Sequence, residues 1–383
     1  MILNSEMREY FFYRRFIMRK NIRMRGMILA GALAMGLGLS GCGSSDSTTS
    51  ATTGTVTEGT TVEMITKSTK SAAEDATIAL AEGGSTEAVT EAGSTEAEEE
   101  DEENYNTGDA SLDKVRNEDG IGEKELLVIS FGTSYNDSRR LTIGAIEETL
   151  ANNFSDYSVR RGFTADIIID HVERRDGIHI DNIDEALKRA VDNNVKKLVI
   201  QPTHLMNGIE YEELTSKVAN YADAFDQVEI GSPLLTTDDD FKRVENAIVD
   251  WTKEYDDGKT AIVFMGHGTE AESNAIYAKM QNLLTTDGFA NYYIGTVEAS
   301  PSLEDVMNQI KDKGYTRVVL EPLMVVAGDH ANNDMAGDEE DSWKTAFSNA
   351  GYEVVCLLRG LGENETIRNI YVDHAKEAIG KIQ

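Results

Sequence analysis

From residue 126 onward, apolar runs of four to six residues alternate with longer segments in which apolar positions recur every three or four residues. Short apolar runs bounded by turn residues read as buried strands, and the longer amphipathic segments read as helices. The pattern predicts strands at 126–130, 164–169, 197–200, 261–265, 292–297, 317–320 and 353–358. It predicts helices at 138–152, 182–193, 211–224, 239–255, 271–284, 303–313, 341–350 and 365–379. Strands alternating with helices imply an α/β fold built on parallel sheets, whose ligands collect at the carboxyl ends of the strands.

The two halves of this pattern echo each other. Ser130-Phe131-Gly132-Thr133 ends the first strand of one half as Gly266-His267-Gly268-Thr269 ends that of the other. Val199-Ile200-Gln201-Pro202, followed by Gly208, recurs as Val319-Leu320-Glu321-Pro322, followed by Gly328. Repetition on this scale predicts two similar lobes, at 123–256 and 257–383, each a parallel sheet flanked by helices, with a cleft between them. In that register His267 stands opposite Phe131 and His330 opposite Glu210, so the histidine pair belongs to the second lobe alone.

The rest of the chain is different in kind. Residues 43–122 are rich in Ser, Thr, Gly, Ala and Glu and nearly devoid of large apolar side chains, so they read as a solvated tether. Much of the formal charge of −32 lies there, with an unbroken acidic run at 98–103. Before it, Arg19, Lys20, Arg23 and Arg25 precede an apolar stretch at 27–39, which Leu39-Ser40-Gly41-Cys42 closes. At about 13 residues the stretch falls short of the roughly 20 that span a bilayer. This leader, residues 1–42, resembles a bacterial lipoprotein signal, which would make Cys42 the lipidated first residue of a membrane-anchored, extracytoplasmic protein. Residues before Met18 fit no part of such a signal, which makes Met18 an alternative start. Besides Cys42 only Cys356 remains, in an apolar run, so no disulfide framework and no cysteine metal cluster is expected.

Candidate chemistry sits where strands end. An apolar run ending at Val326 leads into Gly328-Asp329-His330-Ala331-Asn332-Asn333-Asp334-Met335-Ala336-Gly337, and another, Ala261-Ile262-Val263-Phe264-Met265, leads into Gly266-His267-Gly268-Thr269. Two imidazoles at two strand ends of one lobe suggest a metal or proton-transfer site. Each has a plainer reading: His267 as a helix cap, His330 as part of a polar turn. Glu298, at a third strand end, alone reads as a solvent-exposed acid. His204, in the first-lobe segment Gln201-Pro202-Thr203-His204, reads as a cleft-lining residue, a ligand for an accessory group such as haem, or a structural histidine. His171, His179 and His374 read as surface residues, and Met206, Met265 and Met324 as packing.

Together, Ile129-Ser130-Phe131-Gly132-Thr133-Ser134-Tyr135, Gln201-Pro202-Thr203-His204, Gly266-His267-Gly268-Thr269, Val297-Glu298 and the loop from Gly328 to Gly337 resemble the sirohydrochlorin cobaltochelatases of anaerobic corrin synthesis. The resemblance runs from about Lys124 to the C-terminus. It implies two similar α/β lobes, insertion of Co2+ into sirohydrochlorin without ATP, and metal contacts from His267, Glu298 and His330, which would also carry the catalysis. Imidazole and carboxylate suit Co2+ without the grip of thiolate, and the same donors accept Fe2+ or Ni2+. The substrate's eight carboxylates call for local cations, and Arg139, Arg140, Arg160, Arg161 and Arg359 are the candidates. Ser134 and Tyr135 are placed to hydrogen-bond the macrocycle. No organic cofactor is certain, haem binding and homo-oligomerisation stay open, and no nucleic-acid partner is expected. The leader is at odds with a cytoplasmic synthesis, so a lipoprotein that captures haem, a corrinoid or a metal on a chelatase fold is the rival reading.

Overall fold

The computed structural model describes residues 107–382. The leader, Cys42 and the tether as far as residue 106 lie outside the described residues. Strands β1 (Lys124–Ser130), β2 (Ser158–Phe163), β3 (Lys197–Pro202) and β4 (Gln227–Ile230) form one parallel sheet, and β5 (Thr260–Gly266), β6 (Tyr292–Thr296), β7 (Arg317–Pro322) and β8 (Glu353–Cys356) a second. Their orders, β2-β1-β3-β4 and β6-β5-β7-β8, are the same arrangement twice. Register agrees as well: Ser130 pairs with Phe163 and Ile129 with Pro202, as Gly266 pairs with Thr296 and Met265 with Pro322. The predicted duplication is therefore present in topology and in residue pairing.

Ten helices connect the described strands. They are α1 (Asn136–Arg139), which runs through a π-helical turn at Arg140–Gly144 into α2 (Ala145–Asn153), then α3 (Asp166–Asp176), α4 (Ile183–Asp192), α5 (Ile209–Tyr221), α6 (Asp238–Thr252), α7 (Ala275–Thr286), α8 (Leu303–Ile310), α9 (Trp343–Asn349) and α10 (Glu365–Lys381). Capping boxes start three of them, at Asn182, Thr237 and Ser302, where side chain and backbone satisfy each other's otherwise orphaned groups.

Central strands buried on both faces explain the continuous apolar runs. On β1, Leu126 and Val128 join Ile262 and Phe264 of β5 in one core shared with α2, α6, α7 and α10. The opposite face, Leu127 and Ile129, packs on α4 and α5, and Ala261, Val263 and Met265 pack on α8 and α9. Helix α10 crosses to the first lobe, where Tyr371 donates to the Thr203 carbonyl at 2.8 Å and Lys381 pairs with Glu229 at 3.0 Å. The last helix in sequence thus packs on the first sheet.

Three expectations need correction. The predicted strand at 164–169 is the start of α3, and the strand lies just before it, at Ser158–Phe163. Two arginines disguised it: Arg160 and Arg161 are fully buried, the first against Glu125 at 2.7 Å and the second against Glu147 at 2.8 Å. Residues 107–122, read as the end of the tether, lie on the first lobe. There Asp113 pairs with Arg161 at 2.6 Å and Arg139 at 2.8 Å, and Arg116 pairs with Glu148 at 2.7 Å. His374, read as exposed, is buried between the Ser232 carbonyl and Asp240, each at 3.1 Å.

Candidate metal centre

Because β5 and β6 keep pairing beyond their ends, His267 and Glu298 arrive together. The Val297 amide donates to the Gly266 carbonyl at 3.0 Å and the Glu298 amide to the His267 carbonyl at 2.8 Å. Glycine is needed on both sides of the histidine. A Cβ at Gly266 would run into the Tyr277 ring, and Gly268 takes a φ of +84° against Thr296 and Ala299.

His330 comes from the β7 side and opens a π-helical turn at Ala331–Met335. Such turns recur at functional sites, where they re-aim a side chain. Its ring lies edge-on to that of His267, with centroids 4.7 Å apart. His330 Nδ1 is bonded to Asp334 Oδ2 at 2.7 Å, and His267 Nδ1 to the Gly268 carbonyl at 2.7 Å. A carbonyl and a carboxylate only accept, so both Nδ1 atoms carry a proton, and in the neutral rings both Nε2 lone pairs are left for an ion.

The two imidazoles are tuned apart. Burial, then the charge of His330, pushes His267 below the ordinary imidazole range, against the Gly268 carbonyl, Glu298 and Glu210. Burial also pushes His330 down, but Asp334, with Asp329 and Glu298, outweighs it and holds the net value above that range. The surroundings thus bias His267 toward the neutral ring and His330 toward the protonated one. Glu298 lies close enough for its charge to act on both rings.

The three are gathered but not closed. Among the described residues, the group whose ligand atoms all lie within 4.8 Å of one another is instead His179, Asp181 and Glu185. There Asp181 is already gripped by Arg189 at 2.6 and 2.9 Å, so its carboxylate is committed to a guanidinium. The donors of His267, Glu298 and His330 lie farther apart than that and form an open arrangement.

Glu210 joins from the first lobe. It stands in the first turn of α5, close enough for its charge to act on His267. A cavity of about 470 Å³ opens beside it between the lobes, lined by Asn207, Gly208, Ile209 and Glu212 on one side and Ala271, Glu272 and Ser273 on the other. In the duplication Glu210 stands opposite His330, but nothing local in the sequence places it beside His267. Asp334 was visible only as a polar turn residue, although its spacing of four from His330 was the available signal.

Other sequence candidates fall elsewhere. Arg139, Arg160 and Arg161 are buried in ion pairs and cannot reach a substrate. Arg359 is held by Glu321 at 2.7 Å and lies over the Trp251 ring. Arg140 stays partly exposed and pairs with Asp137 at 3.1 Å. Ser134 is buried, with its carbonyl taken by Arg175, and Tyr135 is half-buried beside it. Both ring nitrogens of His204 are buried without a partner, and burial lowers its pKa to about 4.

Two parallel α/β lobes, with an imidazole and carboxylate centre at the strand ends of one of them, define the two-lobed metal chelatase class. Comparison with known proteins narrows this. The family model for cobalt chelatase, CbiK, matches residues 124–380, and the chain belongs to that family. It is 38% identical over 257 residues to a sirohydrochlorin cobaltochelatase of Salmonella typhimurium, covering 67% of this chain and 97% of that one. It is 28% identical over 276 residues to the sirohydrochlorin cobaltochelatase CbiKC of Nitratidesulfovibrio vulgaris, covering 71% and 97%. Among solved structures, SirB from Bacillus subtilis with Fe3+ superposes with a TM-score of 0.50 at 13% identity, covering 68% of this chain and 98% of that one, a likeness of fold.

Proposed function

We propose that this protein inserts Co2+ into sirohydrochlorin without ATP. The observation that carries the reading is the convergence of two imidazoles, each with Nδ1 tied back and Nε2 free, beside Glu298 in a chain of the cobalt chelatase family. Insertion replaces two pyrrole N–H protons by one Co2+, so the site must hold a divalent ion loosely and take up two protons. Three nitrogen and oxygen donors hold Co2+ without thiolate, and leave positions for the incoming pyrrole nitrogens. The depressed pKa of His267 keeps it neutral near pH 7, ready to bind the ion or accept a proton. Asp334 stabilises the charge that a proton leaves on His330.

The choice of Co2+ over Fe2+ or Ni2+ rests on the family, since the donors accept all three. The test is an anaerobic assay in which the protein meets sirohydrochlorin with each ion in turn, followed by absorbance. Fastest insertion with Co2+ is expected. Fastest insertion with Fe2+ or Ni2+ reassigns the metal, and tight macrocycle binding with no insertion favours the carrier.

We propose further that the chain is a lipoprotein held outside the cytoplasmic membrane through Cys42. The basic residues, short apolar stretch and Leu39-Ser40-Gly41-Cys42 ending support this. Among the described residues no helix is long and apolar enough to cross a membrane. Radiolabelled lipid is expected on the parent protein and not on Cys42→Ala. Equal labelling of both defeats the proposal.

A further inference from the structure

The ion-binding residues make one wall of the cleft, and the duplication specifies the other. The Ala165 amide donates to the Phe131 carbonyl at 3.3 Å just as the Glu298 amide donates to that of His267, and Thr164 to Ser130 just as Val297 to Gly266. These paired bonds put Phe131 at the position of His267 and Ala165 at that of Glu298, while Glu210 stands for His330. The second lobe is built there for an ion. The first lobe presents a ring and a methyl group.

The same relation fixes what Phe131 faces. In the two-fold arrangement that the duplication implies, Glu210 beside His267 has Phe131 beside His330 as its counterpart. Neighbouring contacts agree. A Cβ on Gly328, two residues before His330, would lie 3.1 Å from Thr133 Oγ1, two residues after Phe131, and the Ala327 amide donates to Ser138 Oγ at 3.0 Å. Phe131 is nevertheless 45% exposed, although Ser130 and Thr133 around it are buried, and Ile167 in the first turn of α3 is equally open.

We propose that Phe131 is the face on which the tetrapyrrole macrocycle stacks, presenting the opposite face of the ring to His267, Glu298 and His330. This rests on the chelatase reading. A flat conjugated ring is the ligand chemistry that an open aromatic side chain across from an ion site matches: stacking supplies affinity without donors that would compete for the metal. One lobe thereby holds the ion and the other the ring, which is a reason for the duplication to have diverged at this position.

The experiment compares the full-length parent with Phe131→Ala, Phe131→Leu and Phe131→Tyr. It titrates metal-free sirohydrochlorin by its fluorescence, Co2+ alone by calorimetry, and both together for insertion kinetics. Phe131→Ala is expected to raise Kd and KM for sirohydrochlorin about tenfold, with kcat and Co2+ affinity near parental. Phe131→Tyr is expected to restore binding and Phe131→Leu to fall between. Unchanged sirohydrochlorin affinity in Phe131→Ala, full rescue by Phe131→Leu, or a parallel loss of Co2+ affinity overturns the proposal. A parent that binds sirohydrochlorin but never inserts Co2+ overturns only the enzymatic reading, and the Kd comparison still decides Phe131. A parent that does not bind sirohydrochlorin overturns both.

Discussion

His267→Ala and His330→Ala each lower the rate of Co2+ insertion by about 100-fold or more while leaving the fold intact. Neither side chain belongs to the hydrophobic core: the two rings meet edge-on, His267 bonds the Gly268 carbonyl and His330 bonds Asp334 in its own turn. On the proposed function their loss removes ligands and proton acceptors together. Circular dichroism and the melting temperature should stay close to parental while Co2+ affinity falls. Asp334→Asn separates the roles. With Asp334 in place, His330 keeps its proton above the ordinary imidazole range, so Co2+ must displace it and Co2+ affinity rises with pH through that range. Removing the carboxylate charge lowers that pKa, moves the rise to lower pH and weakens Co2+ binding about 10- to 100-fold at higher pH. Calorimetry across pH checks this, and an unshifted profile would separate Asp334 from the site.

Asp113→Ala unfolds the first lobe's edge. Asp113 is the carboxylate partner of buried Arg139 and shares buried Arg161 with Glu147. Removing one partner of a buried ion pair costs about 3–5 kcal/mol, set against a total stability of about 5–15 kcal/mol. A fall in Tm of about 10 °C is expected, read by calorimetry. Burial raises the Asp113 pKa, but its hydrogen bonds to Arg161 and Arg139 win and the net value is depressed. Its contribution is therefore full above the ordinary carboxylate range and is lost as pH falls through the depressed value. Deleting residues 107–122 should cost at least as much, although they precede the region that matches the family. A deletion that melts like the parent would mean the segment is ornamental.

The lobe of the candidate site is legible because its signals are local. A run of β-branched residues followed by Gly-His-Gly announces a strand end with an accessible imidazole, and the same grammar holds for His330. What periodicity could not see was charge buried against charge. Arg160 and Arg161 look like surface cations, so β2 was missed and both were assigned to the substrate. Asp113 and Arg116 look like linker residues, so the docked segment read as tether. Buried ion pairs join residues far apart in sequence, and neither partner alone shows that it is inside. Glu210 escaped for a similar reason: its role is set by a lobe it does not belong to.

The most direct test is a count of turnovers. With sirohydrochlorin and Co2+ in large excess over protein and oxygen excluded, a chelatase should yield many molecules of cobalt-sirohydrochlorin per protein, at a rate that His267→Ala abolishes. A yield that stops at one macrocycle per protein, or a rate that His267→Ala leaves unchanged, would contradict the account.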